Sequence, residues 1–550
     1  MNKKFRKIVM LSLSIIIIFN SMPIFSGDYH FRDYKSYSSQ LKQTMTTPNI
    51  IIMIGDGMGP NYEEIASLIE YGVPNGTIME QSFPYKALYH TETVNGEITD
   101  SAAAGTAIST GVKTKKGYVG MDKYGHYLKT ILEYLLHDAN YSTGLVTTTS
   151  IPHATPATFS SHVESRSNEG VIWDQEMSQG IDVLMGGYGT QISTKSTSQI
   201  VKDIEFRYGY PVATNITEMY NLSIISDKFV GLFGTKYLPY EIDRNVTTTP
   251  SIIDMTKAAL NLLTRKSSPF FLMVEGGRID HAGHANNLTN AVIETIIFEK
   301  AVRYVRAFAE ELGNTIVIVV ADHETCGLVL NKQPVFSNNT LPSKGFSRNE
   351  NMTIRLQRIL QLDASFTAPY HTSWPVHFYG YGPGLEGSNQ SIHHLIDIFW
   401  VLNKALGCFP VIIDSSFKVI DNILEISLNI TDQDDTVNGI IVHITYDNIN
   451  YEDHFIPVEI TSKIVKTDIN ILPEKDFSFY LEIIDPLSPF NTTYFMQRYT
   501  YNSGGDTNPV NTSNNTSLNP KNINFLDSFS YIVVITTFMI IFLIKYIKKF

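Results

Sequence analysis

The sequence predicts an α/β fold, a three-layer α/β/α sandwich with a largely parallel central sheet, followed by an all-β sandwich-like domain and a C-terminal transmembrane helix. Three observations lead to this prediction. Strand-like apolar runs alternate with longer helical patterns over residues 47–408. Short runs with an alternating apolar pattern follow over residues 409–501. An uncharged apolar run then lies near the end of the chain.

The composition of the 550 residues suits a large folded protein with more than one module. Hydrophobic residues make up 43% of the chain and charged residues 17%, which is too apolar for a disordered protein. The formal net charge of -12 argues against a general nucleic-acid-binding protein, and we expect no binding to nucleic acid. Two cysteines, Cys326 and Cys408, are too few for a disulfide scaffold but leave room for one bridge.

The N-terminal residues 1–27 have the build of a secretory signal peptide or an N-terminal anchor. Basic residues at positions 3, 4, 6 and 7 precede an apolar run from Ile8 to Phe19. We therefore expect the chain to be exported.

The C-terminal part of the sequence predicts a small β domain tethered to a membrane. Over residues 409–501, segments such as ILEISLNI and GIIVHITY are separated by Asp and Asn turns, which predicts a β-sandwich of roughly immunoglobulin size. Residues 502–526 are rich in Asn, Ser and Thr and predict a flexible linker. A transmembrane helix is predicted over residues 527–545, because its apolar run approaches the roughly 17-residue minimum for a spanning helix. A buried core helix is the alternative.

The basic residues within 546–550 predict a cytoplasmic tail. The folded domains would then lie outside the cytoplasm, in a single-pass protein of the cell membrane.

Three apolar runs in the α/β region each end in a carboxylate. NIIIMI leads into GDGMG, which places Asp56 in a tight loop, SPFFLMV ends at Glu275, and TIVIVVA ends at Asp322 and His323. Open α/β sheets bind ligands at the carboxyl ends of their strands. One such carboxylate would more often be a loop cap or a solvated charge, but three together indicate a site.

Further candidate metal ligands lie in VEGGRIDHAGHANN and at the start of HTSWPVHFYGYGPG. Asp280 and His284 are four residues apart, so a carboxylate and an imidazole can converge on one ion, and His371 opens the second segment. Mixed His and Asp ligands suit zinc, whereas Asp56 and Glu275 with a hydroxyl suit a harder ion such as magnesium. We infer two kinds of metal site. His371 alone would more often be a structural or surface histidine.

Ser101 is the candidate nucleophile. It follows Asp100 and precedes an Ala-rich run with high helix propensity, so its hydroxyl would lie at a helix N-terminus, where the dipole favours an anion. The alternative is that Asp100 or Ser101 is only a helix N-cap. The chain has no GxSxG element at this position, so activation of the serine by a metal is the remaining route.

Seven segments of the sequence resemble those of the alkaline phosphatases, in the same order, over roughly residues 47–405. They are GDGMG, TDSAAAGTA, TGVKT, HATPATFSSHVESR, VEGGRIDHAGHANN, ADHETCGL and HTSWPVHFYGYGP. The resemblance implies a phosphate monoester hydrolase that acts through a phosphoserine intermediate at a site with two zinc ions and one magnesium ion. It also implies a homodimer, with residues 47–408 as the catalytic domain.

The same resemblance implies a role for each of ten positions. It implies that the nucleophile is Ser101 and that the arginine clamping phosphate is Arg166. It also implies three sets of metal ligands: Asp280, His284 and His371 for one zinc, Asp56, Asp322 and His323 for the second zinc, and Asp56, Thr155 and Glu275 for magnesium. His153 stands where some members have Asp, and His281 where some have Lys. The resemblance places both histidines near the third metal and the phosphate.

Two other functions stay open from the sequence. One is a phosphodiesterase of the same superfamily, which would reuse the metal framework. The other is a membrane-tethered binding protein whose phosphatase domain is a relic. The complete ligand set argues against the second.

Overall fold

The computed structural model describes residues 47–125, 127–190, 192–337, 340–385 and 393–406, together with seven β-strands between residues 411 and 501. The predicted signal peptide or anchor over residues 1–27, the linker over 502–526, the transmembrane helix over 527–545 and the tail over 546–550 lie outside the described residues.

In the described part of the N-terminal α/β region there are fourteen strands. In chain order they are β1 (Asn49–Ile54), β2 (Tyr85–His90), β3 (Ser142–Ser150), β4 (Val183–Gly187), β5 (Val212–Ala213), β6 (Phe229–Gly234), β7 (Phe270–Glu275), β8 (Thr315–Val320), β9 (Glu324–Thr325), β10 (Leu328–Lys332), β11 (Asp363–Phe366), β12 (His371–Thr372), β13 (Val376–Tyr381) and β14 (His393–His394).

The α-helices of this region alternate with the strands. They are α1 (Pro60–Tyr71), α2 (Ile78–Ser82), α3 (Ser101–Thr110), α4 (Ile131–His137), α5 (Ala154–Ala157), α6 (Glu169–Ser178), α7 (Thr197–Tyr208), α8 (Ile216–Ile225), α9 (Ile252–Leu263), α10 (Arg278–His284), α11 (Leu288–Leu312), α12 (Arg348–Ile359) and α13 (Ile396–Leu406).

Ten of these strands form one sheet in the order β14-β2-β13-β8-β1-β7-β3-β4-β6-β5. All neighbouring pairs are parallel except the two that involve β13. Every residue of β1, β3, β7 and β8 is buried. Because side chains alternate between the two faces of a strand, both faces of the central sheet are covered. The predicted α/β fold with a largely parallel central sheet is confirmed.

The register of the central strands brings the predicted carboxylates to one edge. Ile54, at the end of β1, pairs with Glu275 of β7 on one side and with Val320 of β8 on the other. Asp56 follows β1 by two residues, and Asp322 follows β8 by two residues. The three strand ends therefore meet at the carboxyl edge of the sheet, where α/β folds bind ligands.

Local sequence signals fix the starts of several helices. Thr130 and Glu133 form a capping box at α4, and Ser251 and Asp254 form another at α9. In each, the side chain of the first residue accepts a backbone N–H of the first turn, and the acidic side chain accepts the N–H of the cap residue. Such caps explain why the helices of this region begin where the apolar pattern begins.

The described strands beyond the α/β region are all antiparallel. They are β15 (Val411–Ile420), β16 (Ile423–Thr431), β17 (Gly439–Thr445), β18 (Glu452–Pro457), β19 (Ile464–Asn470), β20 (Phe477–Ile484) and β21 (Tyr499–Tyr501). They form a sheet ordered β15-β16-β19 and a sheet ordered β18-β17-β20-β21. Their arrangement as a β-sandwich stays a prediction.

Two further features bear on the sequence analysis. In the part of the chain that the structure describes, no helix combines the length and the apolar character needed to cross a bilayer. Cys326 is a free, buried thiol in the turn between β9 and β10, and Cys408 lies outside the described residues.

Candidate active site

The ends of β1 and β8 hold the first group of candidate ligands. Nε2 of His323 lies 3.6 Å from Oδ1 of Asp56 and 3.4 Å from Oδ2 of Asp322. All three side chains are completely buried. The ligand atoms lie within 4.8 Å of one another, which is close enough to hold one ion.

A glycine turn shapes this first group. Gly57 adopts a left-handed backbone with φ 73°, and its N–H donates to Oδ1 of Asp322 over 3.0 Å. A Cβ atom at this position would lie 2.5 Å from the hydroxyl of Thr325. The sequence GDGMG is therefore needed both for the backbone conformation and for the close approach of neighbouring side chains.

Helix α10 and strand β12 supply the second group. Nε2 of His284 lies 3.3 Å from Oδ1 of Asp280 and 3.0 Å from Nε2 of His371. Nε2 of His371 lies 3.6 Å from the same oxygen of Asp280. The other ring nitrogen of His371 is 2.9 Å from the carbonyl oxygen of Thr99, which fixes the direction of the ring.

The two groups lie side by side. The rings of His323 and His371 stack with their centroids 3.6 Å apart. The hydroxyl of Thr325 donates to Oδ1 of Asp280 over 2.5 Å and lies 3.3 Å from Nδ1 of His323. Thr325, which the sequence analysis did not single out, therefore orients one side chain from each group.

The third group lies between β1, β7 and the short helix α5. Oε2 of Glu275 accepts hydrogen bonds from Thr147 and, over 3.1 Å, from Thr149. Its other oxygen faces Nδ1 of His153 at 4.0 Å. Asp56, His153 and Glu275 lie close enough to share one ion. His153 thus joins this group, and the hydroxyl of Thr155, two residues further along, is buried.

Ser101 is the first residue of α3 and is 2% exposed. Its hydroxyl oxygen lies 3.3 Å from Nε2 of His323, which links the candidate nucleophile to the first group. The N-cap is Asp100, whose side chain accepts the N–H of Ala103 over 3.1 Å. The capping function therefore belongs to Asp100, and the hydroxyl of Ser101 is not used as a cap.

Small residues allow α3 to lie close to α5. A Cβ atom on Gly105 would lie 2.5 Å from the hydroxyl of Thr158, just after α5. Ala102, Ala154 and Ala157 are buried in one cluster. The Ala-rich run after Ser101 thus raises helix propensity and also brings the candidate nucleophile close to the helix that carries Thr155.

Arg166 is held against the start of α3. Its Nη1 donates to Oδ2 of Asp100 over 3.0 Å, and its backbone N–H donates to the carbonyl of Gly117 over 2.7 Å. Asp100 also accepts the N–H of Gly117 at 3.1 Å. Burial works against the charged guanidinium, but Asp100 outweighs it and raises the pKa of Arg166. A permanently charged fork therefore lies beside Ser101.

Comparison with known proteins fits this geometry. The sequence model of the family "Alkaline phosphatase" matches residues 47–395. The chain belongs to the alkaline phosphatase family. It is 33% identical to alkaline phosphatase 4 of Bacillus subtilis (strain 168) over 394 residues, which cover 62% of this chain and 84% of that protein. It is 35% identical to alkaline phosphatase 3 of the same strain over 310 residues, covering 54% and 66% of the two chains.

A solved structure gives the same result. The alkaline phosphatase from the Antarctic bacterium TAB5 superposes with a TM-score of 0.55 at 28% sequence identity, covering 66% of this chain and 98% of that chain. The chain is thus a metal-dependent phosphomonoesterase, as the seven segments predicted. The family match ends before β15, so the C-terminal strands lie outside the residues that the family model matches.

Several buried polar atoms of this alkaline phosphatase have no hydrogen-bond partner. They lie in the first and third groups and are both carboxylate oxygens of Asp56, Oδ2 of Asp322, Oε1 of Glu275, the hydroxyl of Thr155 and Nδ1 of His153. Leaving such atoms buried and unpaired is costly, and bound cations would satisfy them. The donor set therefore fits metal ions, with histidine and carboxylate donors in two groups and mainly oxygen donors in the third.

The electrostatics agree with this fit. Burial, followed by the neighbouring charges of Asp322 and Asp280, raises the pKa of Asp56 well above its ordinary value. Burial raises the pKa of Asp322 to about 7, although the N–H of Gly57 opposes the shift. Burial lowers the pKa of His323 well below its ordinary value, so its ring is neutral and able to bind a metal. The site concentrates negative charge that cations would neutralise.

A cavity of about 710 Å³ opens beside the second group. Asp100, His284 and His371 line it, and Ile98 and Tyr370 are among its apolar lining residues. Tyr370 is 72% exposed. The cavity therefore offers an apolar surface next to the residues of the site.

The structure brings together all ten predicted site residues of the alkaline phosphatase. Their chemical roles stay predictions. Sequence analysis missed Thr325 as an orienting residue and Asp100 as the partner of Arg166. The only signal for Asp100 was its position immediately before Ser101, which also suits a simple cap.

Proposed function

We propose that Ser101 attacks phosphate monoesters and becomes phosphorylated, at a site that holds two zinc ions and one magnesium ion. The observation that carries this proposal is the place of Ser101. Its hydroxyl lies at the start of α3, 3.3 Å from Nε2 of His323, and the guanidinium of Arg166 is held beside it by Asp100. The buried, unpaired oxygens of the first and third groups and the short distances among Asp280, His284 and His371 in the second support the metals.

The ligand assignment follows the three groups. One zinc would be held by Asp280, His284 and His371, the other by Asp56, Asp322 and His323, and magnesium by Asp56, Thr155 and Glu275, with His153 nearby. A solved variant of the TAB5 alkaline phosphatase, in which a histidine is replaced by glutamate, has Mg bound in a site called M3. It supports magnesium at one metal position of the family.

The chain's own residues position the ester. The guanidinium of Arg166 would clamp two phosphate oxygens, and the N-terminus of α3 adds a favourable dipole for the same group. When bound, the zinc ions would act as Lewis acids toward the serine hydroxyl and the ester, and magnesium would add positive charge. Burial of Ser101 excludes bulk water from its oxygen.

Two displacements complete the reaction. The Ser101 oxygen loses its proton and attacks phosphorus, the bond between phosphorus and the ester oxygen breaks, and the leaving oxygen takes up a proton to depart as the alcohol. Water then loses a proton and attacks the phosphoserine, the bond between phosphorus and Oγ breaks, Oγ regains a proton, and inorganic phosphate is released. Arg166 holds the phosphoryl oxygens in both steps.

Covalent trapping tests the proposed intermediate. The purified protein is mixed with a labelled phosphate monoester, quenched in acid and digested, and the labelled peptide is sequenced. We expect label on Ser101 and none in Ser101→Ala, which should still bind zinc and inorganic phosphate. Label on another residue, or unchanged turnover in the variant, contradicts the proposal.

We further propose that the catalytic domain is exported, faces outward and is tethered to the cell membrane, with a β-sandwich between it and the linker. The basic and apolar residues within 1–27 and the apolar run within 527–545 support this location. Truncation after residue 505 should release active enzyme into the medium. Activity that appears only after lysis of intact cells contradicts the outward orientation.

A homodimer is proposed on family grounds, and sedimentation of the truncated enzyme tests it.

A further inference from the structure

A fourth group of potential metal ligands lies on α1, α2 and β13. It consists of Glu63, Glu80 and His377, with the phenol of Tyr379 between them, and we call it the Glu63 cluster. The ligand atoms of the first three residues lie within 4.8 Å of one another. None of these residues belongs to the site of the proposed function.

We propose that the Glu63 cluster binds a divalent transition-metal ion, of the Zn²⁺ or Mn²⁺ type. Two carboxylates and one imidazole are donors that both ions accept. The proposal does not rest on the ligand assignment of the catalytic metals.

The spacing of the donor atoms suits one ion. Nδ1 of His377 lies 3.2 Å from Oε2 of Glu63. The phenolic oxygen of Tyr379 lies 2.6 Å from the same oxygen of Glu63, 2.7 Å from Oε1 of Glu80 and 3.0 Å from Nδ1 of His377. Two ligands that bind one ion at about 2.1 Å lie roughly 3.0–3.4 Å apart. The pair of Glu63 and His377 falls within that interval.

Hydrogen bonding inside the cluster leaves one oxygen of Glu63 without a partner. A phenol has one proton, so Tyr379 can donate to Glu63 or to Glu80 but not to both. The other oxygen of Glu63, Oε1, is buried and has no hydrogen-bond partner, and Glu63 as a whole is only 4% exposed. A buried carboxylate oxygen without a partner is costly. A cation bound by both oxygens of Glu63 would remove that cost.

The active site shows the same two features. There, a histidine nitrogen lies 3.4–3.6 Å from carboxylate oxygens of Asp56 and Asp322, and buried oxygens of both residues have no partner. The family is metal-dependent at that site. The Glu63 cluster repeats the combination with residues from other elements of the fold.

The Glu63 cluster is open to solvent on one side, and positively charged groups compete with an ion for its carboxylates. The side chains of His377 and Glu80 are 30% and 28% exposed, so one side of the cluster meets solvent. Lys86 lies 3.2 Å from Oε2 of Glu80 and also donates to the carbonyl oxygen of Glu80, and its side chain is 41% exposed. Although burial opposes it, the hydrogen bond with Glu63 raises the pKa of His377. To bind, the ion therefore has to displace the proton of His377 and the ammonium group of Lys86.

Binding would join three elements that are distant in the sequence. Glu63 lies in the first turns of α1, directly after the loop of Asp56, and is 314 residues from His377. Next to His377, Phe378 pairs with Val320 at the end of β8, the strand that leads to Asp322. An ion at the Glu63 cluster would therefore link α1, which follows the loop of Asp56, to β13, which pairs with the strand before Asp322. Binding would stabilise the folded state by mass action.

Metal counting on the full-length enzyme tests the proposal. The protein is loaded with Zn²⁺, Mg²⁺ and Mn²⁺, desalted, and its metals are measured by mass spectrometry. We expect Glu63→Gln to lose one ion per chain and to keep its phosphatase activity. Glu64→Gln is the matched control, because Glu64 is the next residue of α1 and instead contacts Gln333 at 3.1 Å. It should keep the full number of ions.

A second measurement needs no variant. Crystals of the wild-type enzyme are soaked in MnCl₂ or in ZnCl₂, and diffraction is recorded at the absorption edge of the soaked metal. An anomalous peak bounded by Glu63, Glu80 and His377 supports the proposal. No peak there at millimolar Mn²⁺ or Zn²⁺, or the same ion count in the wild type, Glu63→Gln and Glu80→Gln, overturns it.

Discussion

The carboxylate of Asp100 joins two parts of the site, because it caps α3 through the N–H of Ala103 and accepts a 3.0 Å hydrogen bond from Nη1 of Arg166. One side chain therefore fixes both the helix that begins with Ser101 and the arginine beside it. The two functions can be separated experimentally, since an amide oxygen can still cap a helix but carries no charge.

Asp100→Asn should weaken phosphate binding while leaving the fold intact. Loss of the charged partner leaves the Arg166 fork less well oriented, and hydrogen bonds to charged groups contribute about 1.5–3 kcal/mol, so we expect KM and the inhibition constant of phosphate to rise about 10- to 100-fold. Steady-state kinetics with inorganic phosphate as competitor measure both constants.

The control for this prediction is a double-mutant cycle. In an Arg166→Ala background, Asp100→Asn should have little further effect on either constant, because the pair is already broken. Equal losses in both backgrounds would show that Asp100 acts mainly through the helix.

His153→Glu should strengthen magnesium binding at the third group. Nδ1 of His153 is buried, lacks a partner and lies 4.0 Å from Oε1 of Glu275. Burial, with Arg166 and His281 adding to it, lowers the pKa of His153 well below its ordinary value, so the residue is a neutral nitrogen donor. Magnesium prefers oxygen donors and negative charge.

We expect the magnesium concentration for half-maximal activation of His153→Glu to fall about tenfold. Isothermal titration of the zinc-loaded protein with MgCl₂ measures the affinity directly. His153→Gln, which has the oxygen but not the charge, is the control and should lie between the two. An unchanged affinity in all three proteins would remove His153 from the third group.

The site residues that could be predicted from the sequence are those that lie within a local sequence pattern. Asp56, Glu275 and Asp322 each follow an apolar run, and parallel strands carry their ends to the same edge, so their meeting followed from the alternation of strands and helices. The glycines of GDGMG likewise marked a tight turn. The neighbours of β1 in the sheet are β7 and β8, which the order of elements alone did not reveal.

Contacts between distant and irregular segments could not be found in the same way. Asp100 and Arg166 are 66 residues apart, and neither lies in a strand whose register would align them. The Glu63 cluster combines two helices with an antiparallel strand at one side of the sheet. Its residues have ordinary helical and strand spacing, so only packing brings them together.

The metal-free enzyme should lose stability as the pH rises. The pKa of Asp322 is raised from 3.8 to about 7, so the folded state binds a proton that the unfolded chain has already released. The contribution of this group is fully present below about pH 4, declines as the pH rises from there and is lost once the pH has passed through 7. The total change is on the order of 4 kcal/mol. Histidines whose pKa is lowered in the folded state have the opposite effect: below the pKa of histidine in the unfolded chain, they make the protein more stable as the pH rises. The effect of Asp322 is therefore measured as a difference in stability between the wild type and a variant.

Urea unfolding of chelated wild type and Asp322→Asn between pH 5 and 8 gives that difference. We expect the wild type to lose stability relative to the variant over this range, and the zinc-loaded wild type to show no such loss. Parallel curves for the two chelated proteins would contradict the assigned protonation of Asp322.

Tyr370→Ala should change the preference among phosphate monoesters. Tyr370 is 72% exposed and lines the cavity of about 710 Å³ that His284 and His371 also line. An aromatic leaving group in this cavity can pack on the ring, whereas a small aliphatic alcohol has little surface to offer it. Aromatic contacts contribute about 0.5–1.5 kcal/mol beyond area burial, so kcat/KM for p-nitrophenyl phosphate should fall about 2- to 10-fold.

For glycerol phosphate, kcat/KM of Tyr370→Ala should stay nearly constant, and Tyr370→Phe should behave as the wild type with both esters. Because each variant is compared with the wild type on the same ester, the different intrinsic reactivities of the two leaving groups cancel. Equal losses on both esters would mean that Tyr370 supports the position of its neighbour His371 and does not contact the leaving group.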